Sequence, residues 1–310
     1  MVAYVIKRVL WFPLVLAIIS FVTFTMGFYG PGDPAMVRLG PKATPESIER
    51  MREKMGLNDP FLYQYTNYVF DALNGDFGES YSFSGRTVAE LITKKIGISF
   101  QLGLGAMIIS IGIGIPLGVL AAIRQGTLMD TFLVGFGLFF YATPVFISAP
   151  LLIMFFGVKF HLLPTSGWDG ITSLSAIMPV IVLGFPGIAV MTRLTRASFL
   201  EVINQDFVRT AHAKGLSDFQ VNTRHVMKNA LIPLITVLGL SLATLVEGAF
   251  ITETIFGIPG IGRLAVDSIL SRDYPVIMAI TLIVAFAFSL TNLIVDLLYC
   301  YVDPRIRLTG

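Results

Sequence analysis

The sequence predicts an all-α integral membrane protein with six transmembrane helices, and three observations lead to this fold class. Of the 310 residues, 55% are hydrophobic and only 14% are charged, whereas a soluble domain carries about a quarter charged residues. The apolar residues form blocks of about 20 or more, the length that crosses a hydrocarbon layer of about 30 Å. Polar stretches rich in glycine and proline separate these blocks.

Six blocks are predicted to span the membrane, in chain order about Val9–Phe28, Ile96–Ile123, Thr131–Val158, Ala176–Leu194, Leu231–Ile251 and Val276–Tyr301. The first lacks the short apolar core and the cleavage site of a signal peptide, so we expect it to be a retained helix. Lys and Arg are concentrated in the short loops on the side of the N-terminus. Positive charge favours the cytoplasm, which predicts both termini inside the cell.

The long polar stretch after the first span is predicted to form a small helical cap outside the membrane. Thr44-Pro45-Glu46 combines an N-cap residue, a first-turn proline and an acid, which is typical of a helix start. Asn58-Asp59-Pro60 marks a second start, and Asn74-Gly75 marks its end. The chain then divides into an N-terminal transmembrane helix, 1–30, a helical extracytoplasmic cap, 31–95, and a five-helix core, 96–310.

The second predicted span contains GIGIPLG, from Gly112 to Gly118. Small residues in a spanning helix usually mark close contact with another helix, and Pro116 indicates a kink. We therefore expect these glycines to serve helix packing.

The sequence offers no catalytic, metal or cofactor site. It contains no GxxxxGK[ST], HExxH or GxSxG motif and only one cysteine, Cys300. The three histidines, His161, His212 and His225, fall on both sides of the predicted membrane and cannot form one metal site. The small net charge of +2 gives no indication of a nucleic-acid partner.

The stretch RTAHAKGLSDFQVNTRHVMKNALIP, Arg209–Pro233, is polar and basic between two spans. Gly215 fits the left-handed position that ends a helix, and Ser217 fits the N-cap of the next. The pattern predicts a helix–glycine–helix elbow at 206–230, on the cytoplasmic surface and joined to the fifth span. Pattern alone leaves open a DNA-binding helix-turn-helix, a surface-lying amphipathic helix and a plain connecting loop.

The same stretch resembles the cytoplasmic signature loop of permease subunits in ATP-binding-cassette importers, closest to the peptide/nickel branch. Further similar motifs follow in the family's order: PGDPA at Pro31–Ala35, GDFGES at Gly75–Ser80, LLPTSG at Leu162–Gly167, TETIFGIPGIGRL with RDYP within Thr252–Pro275, and NLIVDLLYCYVDPRIR at Asn292–Arg307. The resemblance covers nearly the whole chain. It implies the type I importer permease fold and a multi-pass location in a prokaryotic cytoplasmic (inner) membrane.

The resemblance also implies partners and a mechanism. The chain would be a non-catalytic subunit beside a second homologous permease, two ATPases that bind ATP and Mg, an extracytoplasmic substrate-binding protein and membrane lipid. The ATPases would be coupled through Arg209, Thr210, Ala211, His212, Ala213, Lys214, Gly215, Leu216 and Ser217. The cap and the loop Gly257–Tyr274 would receive the binding protein. Short peptides are the expected cargo, with nickel chelates, glutathione and oligosaccharides as alternatives.

Three acids near the predicted spans are candidate pathway or gate residues. Glu253 and Asp296 match the family pattern, whereas Glu247 stands where the family more often has a small residue. A carboxylate within a span is costly, which by default indicates a cavity or a pathway. A structural or surface role for Glu247 and Asp296 stays open. A stand-alone secondary transporter and a membrane scaffold are the rival functional classes.

Overall fold

The computed structural model describes the backbone of all residues except 1, 41, 245–248 and 303–310, and it also leaves out the side chains of 2–9, 236, 239–240, 242–244 and 294–302. The described chain is helical. Its strand-like pairing is an isolated bridge between Glu79 and Thr87.

The helices, in chain order, are α1 (Val2–Phe28), α2 (Pro34–Leu39), α3 (Pro45–Lys54), α4 (Phe61–Leu73), α5 (Val88–Ile123), α6 (Leu128–Ala142), α7 (Val145–Leu152), α8 (Leu174–Ile203), α9 (Asp206–Ala213), α10 (Asp218–Gln220), α11 (Met227–Thr244), α12 (Phe250–Phe256), α13 (Ile261–Ser271) and α14 (Tyr274–Val302). Two π-helical segments, Ile153–Lys159 and Val221–Val226, follow α7 and α10.

The predicted starts and ends of the helices in the 31–95 stretch are confirmed. The Thr44 side chain accepts a hydrogen bond from the Ser47 backbone and caps α3, with Pro45 at its first position. Helix α4 begins directly after Pro60, and Gly75 follows its end at φ +81°. A positive φ is a conformation that glycine adopts without steric cost.

The chain divides into two compact units, of which the first comprises Met1–Ser99, Val246–Phe250 and Pro259–Gly310. In this unit α1 packs against α14 and α4. Helix α4 lies alongside α1, since the Tyr65 hydroxyl is 3.0 Å from Ser20 Oγ and the Phe61 and Phe28 rings are 5.1 Å apart. A separate buried cluster joins the start of α5 to α13 and α14 through Val88, Leu91, Ile92, Ile261, Leu264, Ala265, Val276, Ala279 and Ile280.

The second unit comprises Phe100–Leu245 and Ile251–Ile258, and α8 packs there against α6 and α11. Two glycines of GIGIPLG serve close packing against α8, as predicted. A β-carbon on Gly114 would lie 2.6 Å from Met191 Cβ, and one on Gly118 would lie 2.5 Å from the Thr192 carbonyl oxygen. A β-carbon on Gly112 would meet no heavy atom within 4 Å, so this glycine is not a packing residue in the described structure.

Four described stretches are long and apolar enough to cross a membrane: Leu10–Phe28, Val88–Ile123, Leu174–Ile203 and Tyr274–Leu293. The third predicted span is not one straight helix. It consists of Leu128–Ala142 and Val145–Lys159, bent by 100°. Thr143 adopts extended geometry before Pro144, because the proline ring disfavours a helical residue in front of it. Counting this pair as one broken span gives five.

The predicted fifth span, Leu231–Ile251, falls mostly on α11. Residues 245–248 of this span lie outside the described part. The all-helical membrane fold therefore agrees with the prediction, whereas the described residues do not establish the count of six.

Candidate functional site

The elbow, Asp206–Ala230, turns at Gly215 with a hydrogen-bonded helix end. The Gly215 amide donates to the His212 carbonyl oxygen at 2.9 Å, and the Leu216 amide donates to the Ala211 carbonyl oxygen at 3.4 Å. These two bonds form the Schellman pattern, which requires a left-handed residue between them. Gly215 supplies it at φ +81°, as the sequence predicted.

Ser217 caps the second arm of the elbow, also as predicted. Its hydroxyl accepts from the Gln220 amide at 3.4 Å, and the Gln220 side chain accepts from the Ser217 amide at 3.2 Å. This reciprocal capping box satisfies two amides that a helix start otherwise leaves open. Both sides of the turn are thus fixed by local hydrogen bonds.

Apolar side chains hold the underside of the elbow on the ends of two long helices. Val208 and Ala211 of the first arm, with Val221, Val226 and Ala230 of the second, form one buried cluster with Ala122, Phe199 and Val202. Phe199 of α8 is fully buried at its centre. Because packed interiors resist deformation, the elbow and the ends of α5 and α8 form one closely packed piece.

The opposite face of the elbow is exposed and carries most of the predicted coupling residues. Arg209, Thr210, His212, Ala213, Lys214, Gly215 and Ser217 are exposed, Leu216 is half-buried and Ala211 is buried. Ala211 therefore belongs to the underside, where it contributes to the buried cluster. Around the turn, this face carries exposed charges of both signs, with Arg209 and Lys214 near Asp206 and Asp218.

Phe219 is a feature of this face that the sequence reasoning missed. It lies two residues after the Ser217 cap, and its side chain is 77% exposed. A large exposed aromatic ring on a polar segment indicates an interaction site, because aromatic residues dominate the energetics of protein interfaces. The available signal was an aromatic residue inside a polar, basic sequence.

His212 and Asp218 face each other across the turn, with Nδ1 and Oδ1 separated by 3.6 Å. Both side chains are substantially exposed, so this contact links the two arms at the surface. Among the described residues, no group of His, Cys, Asp and Glu side chains has the arrangement of a metal site.

The three candidate pathway acids are not brought together as one described site. Glu247 lies outside the described residues, and Asp296 falls in α14 at a position whose side chain lies outside the described part. Glu253 in α12 is fully buried. Their proposed pathway role therefore stays a prediction.

A salt bridge fixes α6 to α8 near the end of α8 that carries the elbow. Arg196 Nε and Nη2 donate to the two Asp130 carboxylate oxygens at 2.6 and 2.7 Å. The Gly126 amide donates to the same carboxylate at 3.0 Å. Paired donors on both oxygens give a fixed orientation that a single ion pair lacks.

In the first unit, a buried carboxylate just before α14 binds the end of the GDFGES segment and the two residues that follow it. Asp273 is fully buried and accepts hydrogen bonds from the Ser80 hydroxyl, the Tyr81 amide and the Ser82 amide. Burial and the nearby Asp273 charge raise the pKa of the Tyr81 phenol to about 12, against the opposing influence of Arg38. One side-chain hydroxyl and two backbone amides of this stretch therefore share a single carboxylate at the start of α14.

The predicted loop Gly257–Tyr274 is largely helical. Helix α13 occupies Ile261–Ser271, and the buried Ser99 hydroxyl accepts from the Ile261 amide at its start. Arg272 ends it in the left-handed conformation at φ 58°.

Comparison with known proteins gives two family matches that cover most of the chain. Residues 114–308 match the model described as binding-protein-dependent transport system inner membrane component. Residues 1–101 match the model for the N-terminal part of such membrane components.

Individual relatives match over nearly their whole length. A probable peptide ABC transporter permease of Sinorhizobium fredii is 40% identical over 310 residues, covering 98% of this chain and 99% of the relative. The glutathione transport system permease of Escherichia coli is 39% identical, with 99% of each chain covered. The dipeptide transport system permease of Escherichia coli is 38% identical, covering 93% of this chain and 94% of the relative.

Proposed function

The chain belongs to the family of binding-protein-dependent transport system inner membrane components, and we propose that its elbow couples it to a separate ATPase subunit. Within this family the chain is a multi-pass permease subunit of an ATP-binding-cassette importer, and ATP hydrolysis occurs in other subunits. Membership of this family implies two kinds of partner, ATPase subunits and a substrate-binding protein.

The observation that carries the coupling proposal is the two-faced elbow. Its underside is packed on Ala122 of α5 and Phe199 of α8, while Phe219 and Lys214 lie exposed on the other face. An ATPase groove that receives the exposed face would move the elbow as a rigid piece. The buried cluster would carry that movement into α5 and α8. The movement of these two helices would open the pathway to each side of the membrane in turn, by alternating access.

The proposed complex contains this chain, a second homologous permease, two ATPases that bind ATP and Mg, and an extracytoplasmic binding protein. Both termini and the elbow lie in the cytoplasm, in keeping with the distribution of Lys and Arg in the short loops. The 31–95 cap and α13 then lie on the outer side, with α4 extending along the α1 span as far as Ser20, and the binding protein would dock on this side.

Short peptides are the proposed cargo. The relatives described as peptide, dipeptide and glutathione permeases support this class, and glutathione is itself a peptide. Nickel chelates and oligosaccharides are less favoured because none of these relatives is described as carrying them. A pathway or gate role for Glu247, Glu253 and Asp296 belongs to the same proposal.

Uptake into proteoliposomes tests the cargo. The importer, reconstituted with its binding protein and ATP, should accumulate a labelled dipeptide or tripeptide and should lose this uptake when ATP is omitted. Uptake of a nickel chelate with no peptide uptake would overturn the peptide proposal. Uptake without any ATPase subunit would instead favour a stand-alone transporter.

A further inference from the structure

An apolar groove and a polar cavity adjoin each other in the first unit, and neither belongs to the elbow. The groove has a volume of about 390 Å³ and lies between α1, α4 and α14. The cavity has a volume of about 560 Å³ and is bounded by α3, α4 and the GDFGES segment. Both are within the range of about 300–1,000 Å³ that is usual for ligand sites.

The groove lies against two membrane spans. From α1 it is lined by Pro13, Leu16, Ala17 and Ser20, and from α14 by Leu282, Ile283 and Phe286. The eight residues from Pro13 to Ser20 rise about 10 Å along the helix, which is about a third of the hydrocarbon thickness. The groove is therefore apolar, is bounded by membrane spans and has a length suited to part of an acyl chain.

The polar cavity continues the groove at one end. Phe24 of α1 lines the cavity one turn beyond Ser20, and Pro275 of α14 lines it near the start of that helix. Tyr68 and Phe77 line both spaces. The apolar and polar spaces thus follow each other along the same two spans, with the polar space at the end of α1 that leads to the cap.

Charges of both signs line the cavity. Lys54 has no ion-pair partner among the described residues, and Arg38 pairs with Glu79. Asp71 is likewise unpaired there, and Asp76 accepts one backbone hydrogen bond, from Gly78. An ammonium group beside Asp71 and Asp76 and an anionic group beside Lys54 would both find opposite charges.

Helix α4 borders both spaces and has a matching division of side chains. Gln64, Asn67 and Asp71 line the cavity, whereas Val69, Ala72 and Leu73 line the groove. Tyr68 lies between them, and its buried hydroxyl has no hydrogen-bond partner among the described residues. A buried hydroxyl without a partner carries an energetic cost that a ligand in the adjoining space can relieve.

We propose that the groove and the cavity together bind one zwitterionic phospholipid with a primary ammonium headgroup, such as phosphatidylethanolamine. One acyl chain occupies the groove beside Ala17 and Ala72. The phosphate lies towards Lys54, and the ammonium lies towards Asp71 and Asp76. A headgroup without an ammonium would lack the attraction to these two exposed carboxylates.

The test uses the assembled importer in nanodiscs that contain equal amounts of phosphatidylethanolamine and phosphatidylglycerol with identical acyl chains. After release into detergent, native mass spectrometry counts the lipids that stay bound. Wild type should retain phosphatidylethanolamine at least about fivefold over phosphatidylglycerol. Ala72→Trp, which fills the groove, should lose the retained lipid, and Lys54→Ala should weaken retention while leaving the groove intact.

Phe70→Trp is the matched control, because Phe70 is on the same helix, is 68% exposed and lines neither space. It should retain lipid as wild type does. Equal retention of both lipids, or undiminished retention by Ala72→Trp, would overturn the proposal. A cross-link from Ala72→Cys to the second permease, with no lipid bound, would assign the groove to a protein partner and would also overturn it.

Discussion

Replacement of Gly215 tests whether the shape of the elbow is needed for coupling. A β-carbon on Gly215 would meet no heavy atom within 4 Å, so Gly215→Ala introduces no clash. Its cost is that of holding an alanine at φ +81°, about 1–2 kcal/mol for a left-handed L-residue. The population of the native turn, relative to turns with a negative φ at this position, should therefore fall about 5- to 30-fold.

Gly215→Pro is the stronger change. Proline fixes φ near about −65°, and it also removes the amide that donates to the His212 carbonyl oxygen. We expect ATP hydrolysis by the reconstituted importer to lose its stimulation by loaded binding protein. Gly215→Asn should be milder than Gly215→Ala, because asparagine tolerates the left-handed region.

Gly126 provides a matched control in the α5–α6 loop. It has φ +76° and equally open space around a β-carbon, so Gly126→Ala carries the same backbone cost outside the elbow. We expect its stimulated hydrolysis to stay close to wild type. Normal stimulation of ATP hydrolysis in Gly215→Pro, with the chain inserted and assembled, would refute the coupling argument. Equal defects in Gly215→Ala and Gly126→Ala would show that the Gly215→Ala defect is a general loss of stability.

Three further predictions concern contacts within one or the other of the two units. Asp273→Asn keeps one acceptor oxygen but replaces the other with an NH₂ donor that faces N–H and O–H donors. The free energy of unfolding should therefore fall by about 2–4 kcal/mol, measured by thermal unfolding. An unchanged melting temperature would contradict this role of Asp273. Asp130→Ala should lower the melting temperature, and the swap Asp130→Arg with Arg196→Asp should recover part of the loss, whereas no recovery would indicate that pairing is not the cause. The pKa of Tyr81 is near 10 in the unfolded chain and about 12 in the folded one. Ionisation between about pH 10 and 12 therefore favours the unfolded chain, and wild type should lose stability over this range. Tyr81→Phe should lose less stability over the same range when unfolding is followed at increasing pH.

The elbow could be predicted from the sequence because its signals are local. The Gly215 turn and the Ser217 cap depend on hydrogen bonds between residues at most five positions apart. Similar short-range signals identified the start of α3 at Thr44 and the end of α4 at Asn74.

The features that escaped prediction depend on tertiary structure or are hidden by composition. Ser80 and Asp273 are 193 residues apart, and no pattern in either segment indicates the other. The bend at Pro144 lies in an uninterrupted apolar run, where hydropathy alone suggests one span. The exposure of Phe219 depends on which face of the elbow is buried, and this is decided by the cluster around Phe199.

The most direct test of the coupling claim is photo-cross-linking from a benzoylphenylalanine placed at Phe219 in the importer within its native membrane. Leu128, 89% exposed at the start of α6, is the control position on the same predicted side of the membrane. We predict that position 219 forms an adduct with the ATPase subunit, that the adduct yield changes when ATP is added, and that position 128 forms far less. Equal yields at both positions, or no ATPase adduct at position 219, would contradict the account.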